Sequence, residues 1–256
     1  MAIVTLLTDS GESDHYIAAI KARILAVNPE TRIVDISHQI RLFDIGHAAY
    51  VMRSVFRDFP KGTVHLVGVD AAGNRGEEFL IVQLEGHFFI GVNNGLFSLL
   101  SHQQPEKIWE LPASDPIFST FPEKEIFAPA AARLASGEDP AGIGKPVTDL
   151  KRLIDRQVKA TKKQITGHII RVDHFGNLIT NIPKQAFDIL CKDKAFTVQF
   201  GGEKFRRIHT AYNQAEQGEC FIVFNSLDVL EIGIYKGNAS ELLGLDYDSV
   251  VNIIFE

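Results

Sequence analysis

Ala2-Ile-Val-Thr-Leu-Leu7, running into Thr8-Asp9-Ser10-Gly11, is the stretch that decides the fold. Six apolar or β-branched residues that stop at a polar turn read as a buried strand. Asp14–Ala26 then sets Ile17, Ile20, Ile24 and Leu25 at helical spacing. The alternation repeats with a strand over Arg32–Ile36, a helix over Asp44–Phe56 and a strand over Thr63–Val69 that ends at Asp70. Phe79–Leu84 and Phe88–Gly91 flank Glu85-Gly86-His87 as a hairpin, and Ile126–Leu134 reads as a small-residue helix closing near Gly137. Strands alternating with helices predict an α/β N-terminal domain with a mainly parallel sheet and helices on both faces.

The pattern changes near Gln164. Thr166–Val172, Thr197–Phe200, Cys220–Phe224, Leu230–Tyr235 and Val250–Phe255 are strand-like, and only Lys184–Leu190 reads as helical. Turns such as Gly201-Gly202 and Lys236-Gly237-Asn238 separate them. This predicts a smaller all-β barrel as the C-terminal domain. Lys145–Lys163 is polar and carries Pro146, and it reads as the linker region. The division expected is residues 1–158 and 164–256, joined by 159–163.

The chain has 256 residues, a formal net charge of −6 and 45% apolar residues. That is enough for a proper core. The acidic balance argues against a nonspecific nucleic-acid binder, which needs a cationic surface. Two cysteines, Cys191 and Cys220, are too few for a disulfide framework and read as reduced core thiols. The N-terminal run lacks a basic leader and no stretch approaches the ~18 apolar residues of a membrane helix. A cytoplasmic protein with no membrane partner is expected. No His/Asp cluster has ligand spacing, so no metal and no separate cofactor are expected.

Ligands of a parallel α/β sheet bind beyond the carboxyl ends of its strands. Asp9 and Asp70 both follow strands and fall on that edge, where each could serve chemistry or cap a helix.

Four segments carry candidate chemistry. They are Leu7-Thr-Asp9-Ser-Gly-Glu-Ser-Asp14-His-Tyr, Val67-Gly-Val-Asp70-Ala-Ala-Gly-Asn-Arg75, Arg171-Val-Asp173-His-Phe175-Gly-Asn177-Leu-Ile-Thr-Asn181, and Asn225-Ser226-Leu-Asp-Val-Leu-Glu231-Ile, continuing to Gly237-Asn238-Ala239. Singly, each also reads as an Asx-rich turn or a loop entering a strand. Together, in this order, they closely resemble the S-adenosylmethionine (SAM) hydroxide adenosyltransferase family, which also holds SAM-dependent fluorinases and chlorinases. Asp35-Ile-Ser-His-Gln-Ile40, Val92-Asn-Asn94-Gly-Leu96 and Phe127-Ala-Pro-Ala-Ala131 extend the resemblance over nearly the whole chain.

The resemblance implies displacement of methionine from C5′ of the adenosyl group by water or a halide. It also implies a homotrimer, with the nucleoside ligand held between one subunit's N-terminal domain and its neighbour's C-terminal domain. Asp9 would take the ribose diol, since one carboxylate can bind two adjacent hydroxyls. Phe43 would cover the nucleoside, or serve the core. Asp173 and Ser226 resemble the residues that hold the methionine end, and Phe175 and Asn177 those that line adenine. Glu231, Asn238 and Ala239 are weaker adenine-side candidates. Asp14, Asn94 and Asn225 lie in the matching motifs as further ligand-side candidates.

The resemblance breaks at the catalytic set. The hydroxide-using enzymes activate water with an Asp-Arg-His constellation, because water at pKa ~15.7 needs a base and positive charge. Asp70 matches the acid and Arg75 the arginine, though the intervening loop is shorter by about two residues. The family's Thr-Phe-His-Gly-Arg-Asp segment is Thr120-Phe121-Pro122-Glu123-Lys124-Glu125 here, so Pro122 stands at the histidine position with no proton to exchange. Glu123 or Lys124 could replace the lost group. Three functions stay open: a SAM hydrolase, a non-catalytic SAM or adenosine binder on the same scaffold, and a related enzyme using another nucleophile or nucleoside. Nothing in the chain independently supports a halide pocket.

Overall fold

The computed structural model describes residues 3–72, 78–112, 119–154, 156–192 and 194–256. The chain divides into two compact units, Met1–Ile154 and Asp155–Glu256. The first contains β1 (Ile3–Thr8), α1 (Tyr16–Val27), β2 (Arg32–Ser37), α2 (Ile45–Val55), β3 (Val64–Gly68), β4 (Phe79–Leu84), β5 (His87–Val92), β6 (Lys107–Glu110), α3 (Ala128–Ala135) and β7 (Lys145–Val147). Its strands form one sheet in the order β2-β1-β3-β5-β4-β6-β7.

That sheet is mixed, which corrects the mainly parallel expectation. β1–β2, β1–β3 and β3–β5 pair in parallel, whereas β4–β5, β4–β6 and β6–β7 are antiparallel. The cause is local. Glu85 and Gly86, both with left-handed φ, make a two-residue turn that folds β5 back on β4. So short a connection cannot cross over to make a parallel neighbour.

Alternation along the strands sends side chains to two faces. Val4, Leu6, Val64, Leu66 and Ile81 meet Ile17, Ile20 and Ile24 of α1 and the alanines of α3. Each buried isoleucine contributes ~1.5–3 kcal/mol. Leu7, Val67, Leu80 and Val82 meet Ala48, Ala49 and Met52 of α2 on the other face. Asp44 caps α2 by accepting from the His47 N–H at 2.9 Å. The α2 face also encloses two histidines. His65 Nδ1 lies 2.7 Å from Thr5 Oγ1, and His65 Nε2 lies 3.2 Å from His87 Nδ1. Phe56 packs edge-on against both rings, and Phe89 stacks on His65. Burial, then the neighbouring His87, pushes His65 down to about 3, so the ring is neutral.

The second unit contains β8 (Lys159–Ala160), β9 (Gln164–Val172), β10 (Leu178–Pro183), α4 (Lys184–Cys191), β11 (Phe196–Phe200), β12 (Glu203–Phe205), β13 (Cys220–Phe224), β14 (Val229–Ile234), α5 (Ala239–Leu243) and β15 (Val250–Phe255). The strands run β12-β11-β15-β9-β10-β14-β13, with β8 also on β9, and every pair is antiparallel. β9 turns the corner: residues 164–168 pair with β15, and residues 169–172 pair with β10. The result is a curled half-barrel. Among the described residues no pairing joins β12 to β13, so the expected small barrel is an open half-barrel. Cys191 and Cys220 are free and half-buried at the rim of its core rather than inside it. Burial pushes the Cys220 thiol up to about 12, which leaves it unreactive at neutral pH.

Candidate functional site

Asp9 stands one residue beyond β1, and its N–H donates to Gly68 O at the end of β3. Its Oδ2 accepts from two backbone groups, the Phe43 N–H at 2.9 Å and the Asp70 N–H at 3.2 Å. Both donors have left-handed φ, 62° at Phe43 and 49° at Asp70. Such residues carry strain of order 1–3 kcal/mol each. Hydrogen bonds to a charged acceptor are worth ~1.5–3 kcal/mol, enough to offset it. One oxygen therefore holds two loops in place. Among the described residues Oδ1 has no hydrogen-bond partner. Asp9 caps no helix: α1 begins after His15, which makes no side-chain cap.

The Phe43 side chain is 69% exposed, so it lies outside the core. Asp14 is exposed ahead of α1. Asn94 is buried, with its Nδ2 donating to Val69 O at 3.4 Å and its Oδ1 accepting from the Leu96 N–H at 3.2 Å. It builds the turn at Gly95, where φ is 102°. Arg75 lies outside the described residues.

Two further groups sit at the same strand ends. Thr8 Oγ1 bonds His38 Nδ1 at 2.9 Å in a fully buried contact. His38 Nε2 lies 3.2 Å from Asp35 Oδ1, but out of line for a hydrogen bond. Burial raises Asp35, yet the hydrogen bond from Lys21 and the nearby His38 ring outweigh it and leave the carboxyl below its ordinary range. The second group is Glu123, which opens a π-helical turn over Glu123–Phe127, a rare geometry that concentrates at functional positions. Its side chain is 7% exposed. Burial, with the charge of Asp9 adding to it, pushes Glu123 up to about 7 against the pull of its own backbone N–H. Pro122 is buried beside it, whereas Lys124 and Glu125 are exposed.

In the second unit the candidates cluster around one loop. Asp173 Oδ1 accepts from the Phe175 N–H at 2.9 Å and the Asn177 N–H at 2.8 Å. Its Oδ2 accepts from Asn177 Nδ2 at 3.3 Å. Gly176 has φ of 80° and a Cβ there would fall 2.0 Å from Asn238 Oδ1, so the loop and Asn238 need glycine between them. Asn238 caps α5 through the Glu241 N–H at 3.2 Å, and Ala239 behind it is fully buried. Asn225 donates to Glu231 Oε2 at 3.0 Å. Glu231 is 3% exposed on β14. Burial raises it, the Asn225 bond pulls it back, and the nearby Asp173 charge raises it further. Asp173, Asn177, Asn225, Glu231 and Asn238 are thus one connected group. Phe175 is 73% exposed and Ser226 is exposed in the turn before β14.

The chain as a whole matches known proteins. The SAM hydroxide adenosyltransferase N-terminal domain matches residues 4–144, and the C-terminal domain of the same name matches residues 167–252. The chain belongs to the SAM hydroxide adenosyltransferase family. A relative from Methanocaldococcus jannaschii named (R)-S-adenosyl-L-methionine hydrolase is 30% identical, over 99% of this chain and 96% of its own. One of the same name from Thermus thermophilus is 29% identical, over 99% of this chain and 100% of its own. A crystal structure of an uncharacterized conserved protein from Thermotoga maritima superposes with a TM-score of 0.87 at 28% identity, covering 98% of this chain and 99% of that one.

For a member of the SAM hydroxide adenosyltransferase family, the chemistry available in the first unit is carboxylate chemistry: Asp9, Asp70 and Glu123 lie at or beyond the ends of β1 and β3. Among the described residues no group of three or more His, Cys, Asp or Glu side chains could hold a metal ion. No helix is long and apolar enough to cross a membrane among them either.

Proposed function

We propose that this protein hydrolyses S-adenosyl-L-methionine to adenosine and L-methionine. Water or hydroxide attacks C5′, and the sulfonium sulfur leaves as the methionine thioether. The observation that carries the reading is Asp9, whose carboxylate pins two strained loops at the strand ends through one oxygen and keeps the other available. That suits a cationic ligand bearing a cis-diol, which needs an anionic acceptor with two sites. Family membership and the two hydrolases similar over the whole chain support the same reaction. Their names make the (R)-sulfonium diastereomer the substrate to test first.

In this reading Asp9 takes the ribose diol and the exposed Phe43 ring covers the nucleoside. Asp70 and Arg75 position the attacking oxygen. Asp173 and Ser226 serve the methionine end. Phe175, Asn177 and the Glu231–Asn238 group serve the adenine, with Asn225 orienting Glu231. A homotrimer in the cytoplasm completes the proposal, and light scattering tests the assembly.

A second reading, a non-catalytic SAM or adenosine binder, is favoured by Pro122, which is buried and has no proton to exchange. Incubation with each SAM diastereomer in H2(18)O separates the two. Hydrolysis at C5′ yields adenosine carrying one heavy oxygen at its 5′ hydroxyl. Saturable binding by calorimetry with no adenosine above the blank rejects the hydrolase and leaves the binder.

A further inference from the structure

We propose that Glu123 is the base that accepts a proton from the attacking water, which rests on the hydrolase reading above. The geometry places it at the reacting edge. Glu123 Cγ and Oε1 lie 2.8 and 3.3 Å from where a Cβ on Gly68 would fall, and Thr8 Cγ2 lies 3.2 Å from that same point. Gly68 ends β3, Thr8 ends β1, and Asp9 is the next residue. The carboxyl therefore lies over the seam between the two strands from which Asp9 and Asp70 emerge. Only glycine at position 68 leaves it room.

Among the described residues no cationic side chain acts on Glu123. The turn packs on α1, α3, β3 and β5. On those elements Lys21 pairs with Asp35, Arg133 pairs with Glu138, and His65 and His87 pair with each other; Arg23 and Tyr16 complete the titratable groups. Asp9 is the side chain whose charge bears on Glu123, and it is of like sign. A buried carboxyl set against another carboxylate destabilises the fold, where a glutamine would not. Groups held in that condition concentrate at reacting sites, because a base must titrate near the working pH.

The step balances without a further reactant. The water oxygen forms its bond to C5′ as the C5′–S bond breaks, and the sulfur keeps the electron pair and becomes a neutral thioether. The water proton passes to Glu123, which becomes a neutral acid and returns the proton to solvent before the next turnover.

The test compares wild type, Glu123→Gln and Glu123→Asp by SAM calorimetry and by single-turnover hydrolysis from pH 5.5 to 9. The wild-type rate is expected to climb with pH along a limb centred near 7, as Glu123 loses its proton. Glu123→Gln should bind SAM as wild type does, lose the limb and fall in rate by ~10²–10⁴-fold. Glu123→Asp should slow but keep a limb. If wild type hydrolyses SAM and Glu123→Gln matches its rate and its pH profile, Glu123 is not the base and the hydrolase reading stands. If wild type binds SAM and forms no adenosine, the hydrolase reading fails and takes this assignment with it.

Discussion

Acid should weaken the first unit through His65, and the size of the effect follows from its surroundings. The ring is fully buried between Thr5, His87 and Phe89, and its folded value lies near 3 against 6.5 for the free side chain. The unfolded chain therefore binds a proton below pH 6.5 that the folded chain refuses, so stability falls as pH falls through 6.5 and keeps falling toward 3. At pH 5 the gap of about 1.5 units is worth ~2 kcal/mol, since one unit is ~1.36 kcal/mol. Burial lowers His87 too, which adds in the same direction. The perturbation is His65→Phe, which keeps a ring in the space and removes the titration. At pH 7.5 it should cost ~1–3 kcal/mol for each partner left unbonded, the Thr5 hydroxyl and His87 Nδ1. Urea unfolding can be followed by the fluorescence of Trp109, the single tryptophan, which sits 5% exposed on β6 of the same sheet. Between pH 7.5 and 5 the wild type should lose ~2 kcal/mol more than the variant, so the two stabilities converge. Parallel loss in both would show that His65 is protonated at little cost in the fold, and the argument from burial would be refuted.

Asp9→Ala should release the Phe43 and Asp70 amides together, lowering stability by roughly 2–4 kcal/mol and abolishing SAM binding in calorimetry. Asp9→Asn, which still offers a carbonyl oxygen to those amides, should recover most of the stability and little of the binding; equal binding by wild type and Asp9→Asn would remove Asp9 from the ligand. Gly68→Ala sets a methyl 2.8 Å from Glu123 Cγ and should displace the carboxyl, cutting hydrolysis while leaving Asp9 untouched. Unchanged turnover in a folded Gly68→Ala protein would mean that the position of Glu123 over the seam is immaterial.

The elements legible in the sequence are those set by local chemistry. β1 and its polar turn, α2 behind the Asp44 cap and the Glu85-Gly86 turn all announce themselves within a few residues. Sheet order does not. β6 is four residues, Lys107-Ile-Trp-Glu110, too short for an alternation to stand out, and β10 hides inside the Asn-rich motif that follows Gly176. Without β6 the antiparallel half of the first sheet stops at the β4–β5 hairpin, and without β10 the second sheet lacks the strand that joins β9 to β14. The strand-end positions of Asp9 and Asp70 could be read from the pattern, but their link through one oxygen depends on Phe43, which lies 34 residues from Asp9. Glu123 and Lys124 look alike in a charged run. Packing on Gly68 separates them, burying one and leaving the other in water. His65 and His87 are 22 residues apart and gave no sign of meeting.

The single acceptor shared by Phe43 and Asp70 makes the two loops mechanically inseparable. A change of length or sequence in either is transmitted to the other through the tilt of one carboxylate. Anyone transplanting a loop from a relative into this chain should move both, since a new backbone at position 70 would also decide where the aromatic ring at position 43 comes to rest.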